Sequence, residues 1–199
     1  MNFRTARDGA QALAAALAPE GGTVAEVLLA PEEIVGVEDC PGPPQIAARG
    51  PRARGMEGEY ELLLEMILEG ARLHYGRPRV VAPENPDLAL LLGDQLYALG
   101  LSRLAALGDL AATAELADVI SLVAQAHARS DPDLADAVWE AGAIAVGWGQ
   151  SDDLGRAKAL ARADDPGARG ALRSAAAEMT QTAAVEPSDA RLFVDDTLR

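Results

Sequence analysis

The side chains that could do chemistry are few and scattered. Histidine occurs twice, at His74 and His127, and cysteine once, at Cys40. A di-iron carboxylate bundle needs Glu-x-x-His on two helices, but the residues three before the histidines are Ala71 and Ala124. A zinc-protease His-Glu-x-x-His pattern fails for the same reason. There is no Gly-x-Ser-x-Gly elbow and no phosphate-cradling Walker loop. Gly147-Trp148-Gly149 opens a Gly-x-Gly-x-x-Gly pattern, yet Asp152 stands where its third glycine belongs. A single cysteine excludes a disulfide framework or a Cys-x-x-Cys pair within one chain, and Cys40, in the loop Asp39-Cys40-Pro41-Gly42, reads as an incidental thiol. His74 reads as a helix-end cation and His127 as a core-edge residue, since neither has an orienting partner nearby in sequence.

What remains is charge at helical spacing. Arg72, His74, Arg77 and Arg79 form a compact cationic set at the end of an apolar-periodic stretch. They could bind an anion, or simply complement the negative end of a helix. Glu57, Glu61, Glu65 and Glu69 recur every fourth residue on that stretch. Like charges so placed cost a few tenths of a kcal/mol per pair, so the row is expected to be solvated or to meet a basic partner. Asp94, between Leu92 and Leu96, must find a partner, face a cavity or reach the surface, because an unpaired buried carboxylate costs several kcal/mol.

The elements that would position these groups are helices. Residues 7–18 and 23–30 predict two short ones. Tyr60, Leu63, Leu64, Ile67, Leu68, Ala71 and Tyr75 define one face of a helix over 56–75. Asn85-Pro86 starts another over 86–106, Leu107-Gly108-Asp109 turns the chain, and 110–128 follows antiparallel. Gly93 and Gly100 lie seven apart on nearly one face; each costs about 1 kcal/mol relative to alanine, which points to a helix passing closely there. Ser130 with Pro132 starts a helix reaching Trp148, and two more are expected over 152–163 and 167–183, with a further turn or a loose tail at 189–198. The organisation is therefore N-terminal helices (1–38), a Pro/Gly/Arg-rich linker (39–55), a helical bundle (56–183) and a tail (184–199).

Composition agrees with an all-α antiparallel bundle. Of 199 residues, 49% are hydrophobic but only 4% aromatic, so the core must be aliphatic. Seventeen basic against 31 acidic residues give a net charge of −14, which argues against nucleic acid or anionic lipid as a partner. No apolar run approaches the roughly 18 residues that would span a bilayer, and the N-terminus reads as a helix rather than a leader, so a cytoplasmic protein is expected.

Three segments carry a family resemblance. Leu62–Val80, LLLEMILEGARLHYGRPRV, resembles the trans-polyprenyl diphosphate synthase helix that ends in Gly-Gly-Lys-Arg-Leu-Arg-Pro: Glu69-Gly70 and Arg77-Pro78 match the flanks, Arg72 is displaced and the lysine is absent. Asn85–Leu107 is similar to the later helix of that family with a Gly-Asp pair, held here by Gly93 and Asp94. Val138–Ile144 is similar to its helix with an apolar pair followed by Gly-Ala. The resemblance covers about residues 60–148 and implies a truncated isoprenoid-synthase-like bundle. An active synthase holds Mg²⁺ on two Asp-Asp-x-x-Asp sites. The helix bearing the first would have to fit within Arg79–Glu84. Asp152-Asp153 resembles the start of the second, but no aspartate follows three residues on, and both suit the first turn of a helix capped by Ser151.

The resemblance thus implies a catalytically deficient relative, nearest to the small non-catalytic component of two-component heptaprenyl-type synthases. Its partner would be a catalytic prenyl synthase subunit or a second copy, with Mg²⁺ only where a catalytic partner supplies the site. Arg72, His74, Arg77 and Arg79 would then be the diphosphate-binding candidates. Gly93, Asp94, Tyr97 and Gly100 would line a product tunnel or the subunit interface. The alternative is a helical interaction or scaffold protein with no isoprenoid role. An active minimal transferase would need metal sites that the sequence lacks.

Overall fold

The computed structural model describes residues 4–181. Among these the chain is an all-α bundle of nine α-helices: α1 (Ala6–Leu17), α2 (Gly22–Glu26), α3 (Pro43–Ala47), α4 (Glu57–Tyr75), α5 (Pro86–Ala106), α6 (Leu110–Ala128), α7 (Pro132–Trp148), α8 (Asp152–Arg162) and α9 (Ala168–Gln181). The expected turn at 189–198 and the tail 184–199 lie outside the described residues.

Local chemistry places most helix starts. The side chains of Asn85, Asp109 and Ser151 accept hydrogen bonds from the backbone N–H of Leu88, Ala112 and Leu154, each satisfying one orphan donor of a first turn. Asp131 does this for α7 through Leu134; the expected cap, Ser130, instead occupies the preceding turn with φ 60°. Gly108, with φ 79°, turns α5 into α6 in a conformation that favours glycine.

Helix α4 is the axis of the molecule. One side, with Tyr60, Leu63, Leu64, Ile67 and Leu68, joins the main core made with α6, α7, α8 and α9. The other side, with Met66 and Leu73, joins a second core containing Leu13, Leu17, Val24 and Ile34 from the N-terminal segment and Leu92 and Leu96 from α5. The N-terminal helices are thus a layer on α4.

Segment 39–55, expected to be a linker, is packed. Ile46, Ala47 and Ala53 lie in the main core, and Gly50 approaches the backbone of Gly147 so closely that a Cβ there would sit 2.2 Å from it. Prolines and glycines here serve close packing rather than reach. The helix expected over 23–30 also ends early, at Glu26. Beyond it the backbone pairs with residues 80–82: Leu29 N–H donates to the Val80 carbonyl (2.9 Å) and Ala82 N–H to the Val27 carbonyl (2.8 Å).

Candidate functional site

The glutamate row on α4 is the first surprise. Glu57 is exposed, but Glu61, Glu65 and Glu69 are buried, the last two at 1% and 0% exposure. The default expectation of a solvated row is therefore overturned, because the basic partner comes from within the chain. Arg79 donates from Nη2 to Glu65 (2.5 Å) and from Nε to Glu69 (3.1 Å). The backbone N–H groups of Arg79 and Val80 donate to the same Glu69 carboxylate at 2.5 and 2.8 Å. Gln45 bridges Glu61 (3.1 Å) and Glu65 (2.8 Å), and Arg4 closes on Glu61 at 2.8 Å. Burial opposes the charge on Arg79, but Glu65 and Glu69 outweigh it and push its pKa up. This network ties the N-terminal layer, α3 and the segment after α4 to a single helix face.

That network disperses the cationic set. Arg79 is consumed by its two carboxylates. Arg77 is exposed, and Arg72 donates to the Arg77 carbonyl (3.3 Å). Burial, followed by repulsion from Arg79, lowers the Arg72 pKa to about 10. His74 turns the other way, toward α5.

The α4–α5 joint brings together the histidines, two of the tyrosines and the Gly-Asp pair. Three glycines form it. A Cβ at Gly93 would sit 2.7 Å from the His74 ring, one at Gly70 would sit 2.8 Å from the Tyr97 ring, and one at Gly100 would sit 2.8 Å from Ile67. The His74 and Tyr97 rings stack at 5.2 Å and 12°, and Tyr75 stacks on His127 of α6 at 4.4 Å and 7°. Asp94, whose side chain is 74% exposed, closes on His74 Nε2 at 3.2 Å. Burial pushes the Tyr97 phenol up, and its hydroxyl has no hydrogen-bond partner among the described residues. Burial likewise lowers the pKa of His127. With the rings stacked and His74 Nε2 shielded from solvent, the cluster is suited to clamping three helices. Gly93 and Gly100, expected at a tunnel or interface, lie instead under α4 of the same chain.

Asp152 and Asp153 sit in the first turn of α8, and Asp153 pairs with Arg156. Among the described residues no group of three His, Cys, Asp or Glu side chains is placed to hold a metal ion. No described helix is long and apolar enough to cross a membrane.

Among the described residues, the outward side of the α5–α6 hairpin is left uncovered. Leu91 is 67% and Leu110 72% exposed, with Leu90 and Leu107 also open. From Gln95 to Ser121 no exposed residue is charged. The half-buried charges in that span turn aside: Arg103 pairs with Glu20, Asp109 with Arg52, and Asp118 with Lys158 and Arg162. A helix that is apolar all round is normally covered on every side. Nothing in the sequence separated these exposed leucines from the buried ones. Which of them face inward depends on α4, with which α5 shares its three-glycine joint.

Sequence reasoning missed two further partnerships. Asp109, which caps α6 as its position after Gly108 implies, also accepts from Tyr60 (2.8 Å) and pairs with Arg52 (2.7 Å), locking the hairpin turn to segment 39–55. Burial and then Asp109 raise the Tyr60 pKa to about 12. Glu115 on α6 and Lys158 on α8 form a buried ion pair. Both partnerships join residues more than forty positions apart, so no local pattern announces them.

No protein-family model, curated protein or solved structure matches this chain.

Proposed function

We propose that this chain is a non-catalytic helical subunit that acts by docking the outward side of its α5–α6 hairpin onto a second helical protein. The observation that carries this reading is the set of exposed leucines Leu91, Leu107 and Leu110 on a hairpin with no exposed charge from Gln95 to Ser121, in a chain of net charge −14. Large exposed apolar surfaces mark interaction sites on soluble domains. The internal use of Glu61, Glu65, Glu69 and Arg79 supports the non-catalytic part.

The resemblance of residues 60–148 to polyprenyl diphosphate synthases names the partner: a catalytic synthase of that family, with the pair acting in isoprenoid biosynthesis. A second reading is a helical docking protein with no isoprenoid role. It is favoured by the joint itself, since Gly93 and Gly100, the tunnel candidates, are filled by His74 and Ile67.

Co-expression with the catalytic polyprenyl diphosphate synthase of the same organism tests both. The first reading predicts a stable complex by light scattering and an altered product chain length. The double variant Leu91→Asp/Leu110→Asp should abolish the complex while changing stability by only about 0.5 kcal/mol, because both sites are exposed. A complex without a change in product favours the second reading. Self-association through the same surface, or no association, overturns the heteromeric one.

A further inference from the structure

The outward side of the α5–α6 hairpin has two unlike ends. Near the start of α5, Asp87 and Asp94 flank Leu91 at four and three residues, a spacing that sets all three on one side of the helix. All three are exposed, as are Leu90 and Glu84, which stands just before the Asn85 cap. Neither Glu84 nor Asp87 has an ion-pair partner among the described residues. One oxygen of Asp94 closes on His74 at 3.2 Å, yet its side chain is still 74% exposed. Beyond Asp94 the charge disappears. From Gln95 to Ser121 no exposed residue is charged, and Leu107 and Leu110 stand open at the far turn. Two cations of the hairpin are already held: Arg103 by Glu20, and Arg129, which follows α6, by Asp164.

We propose that the element docking on this side is an amphipathic helix of the second protein, apolar along one face and carrying lysine or arginine at the end that lies over Asp87 and Asp94. This inference rests on the docking reading. The leucines take the apolar face, and the acidic end fixes which way the incoming helix runs, since complementary charge sets register and suppresses wrong partners. A second copy of this chain fits poorly. A two-fold pairing about Leu91 brings Asp87 against Asp94 when the two α5 helices run antiparallel, and each aspartate against itself when they run parallel. Two chains of net charge −14 add a general repulsion. An anionic lipid surface is repelled by the same acidic end.

Fluorescence anisotropy of the full-length chain with two synthetic helical peptides tests the proposal. Both carry a leucine face; one has lysines at one end, and the other has glutamates in their place. The lysine peptide should bind, more weakly as salt rises, and the glutamate peptide should bind at least tenfold more weakly. Asp87→Asn/Asp94→Asn should weaken the lysine peptide roughly threefold to tenfold, the range of two partly exposed ion pairs. Asp152→Asn/Asp153→Asn removes the same charge from α8 and should leave binding unchanged. All of these positions are exposed, so the fold should survive each change. Leu91→Gln/Leu110→Gln should abolish binding of the lysine peptide, and binding that survives it overturns the docking reading together with this inference. Loss of binding in that leucine variant, combined with equal binding of the two peptides or an equal effect of the α8 pair, overturns the charge assignment alone. Failure of the unmodified chain to bind the lysine peptide also overturns the assignment, while the docking reading is then judged by co-expression.

Discussion

Helix α4 and the α5–α6 hairpin treat polarity in opposite ways. Helix α4 buries three glutamates where helical periodicity would place a solvated row, and the hairpin exposes leucines where a row of charge would be expected. The two are linked through the same joint. Helix α5 spends its glycine face on α4, and its remaining apolar side is left outward. Helix α4 spends one side on each of two cores and its glutamates on Arg4, Gln45 and the Arg79-Val80 segment that follows it. Charge is tolerated inside because every oxygen of Glu65 and Glu69 accepts a hydrogen bond.

The contrast can be broken most forcefully at Arg79. Arg79→Ala would strand two buried carboxylates and should cost about 3–5 kcal/mol in chemical denaturation, the usual penalty for removing one partner of a buried pair. A loss below 1 kcal/mol would mean that water reaches the network.

Gly93→Ala probes the joint itself. The new methyl meets the His74 ring, and the required shift should cost about 1–3 kcal/mol, as overpacking does. Ala98 on the outward side of the same helix should accept glutamine with a change of about 0.5 kcal/mol or less. Equal effects at the two positions would show that the outward side is already covered.

The smallest effect belongs to His127. Burial lowers its pKa from the ordinary value of 6.5, so the unfolded chain binds the proton more readily. Its contribution to stability is full above that value and is lost as pH falls through it toward the lowered folded value. His127→Phe should remove this part of the acid destabilisation, read as a flatter urea midpoint between neutral and mildly acidic pH. An unchanged slope would place the titration elsewhere.

The sequence by itself determined the all-α class and most of the helix starts, because caps such as Asn85, Asp109 and Ser151 act within three residues of themselves. It also required a close neighbour at Gly93 and Gly100, since glycine in a helix interior is otherwise a cost. Tertiary structure alone decided which neighbour that was, and so which leucines of α5 and α6 stayed outside. It alone turned 39–55 from a linker into core, through contacts with α7 about a hundred residues away. It alone supplied Arg4, Gln45 and Arg79 to the α4 glutamates. A periodic row of charge states its own spacing but not its partners, and burial of such a row is settled by groups brought from elsewhere in the chain.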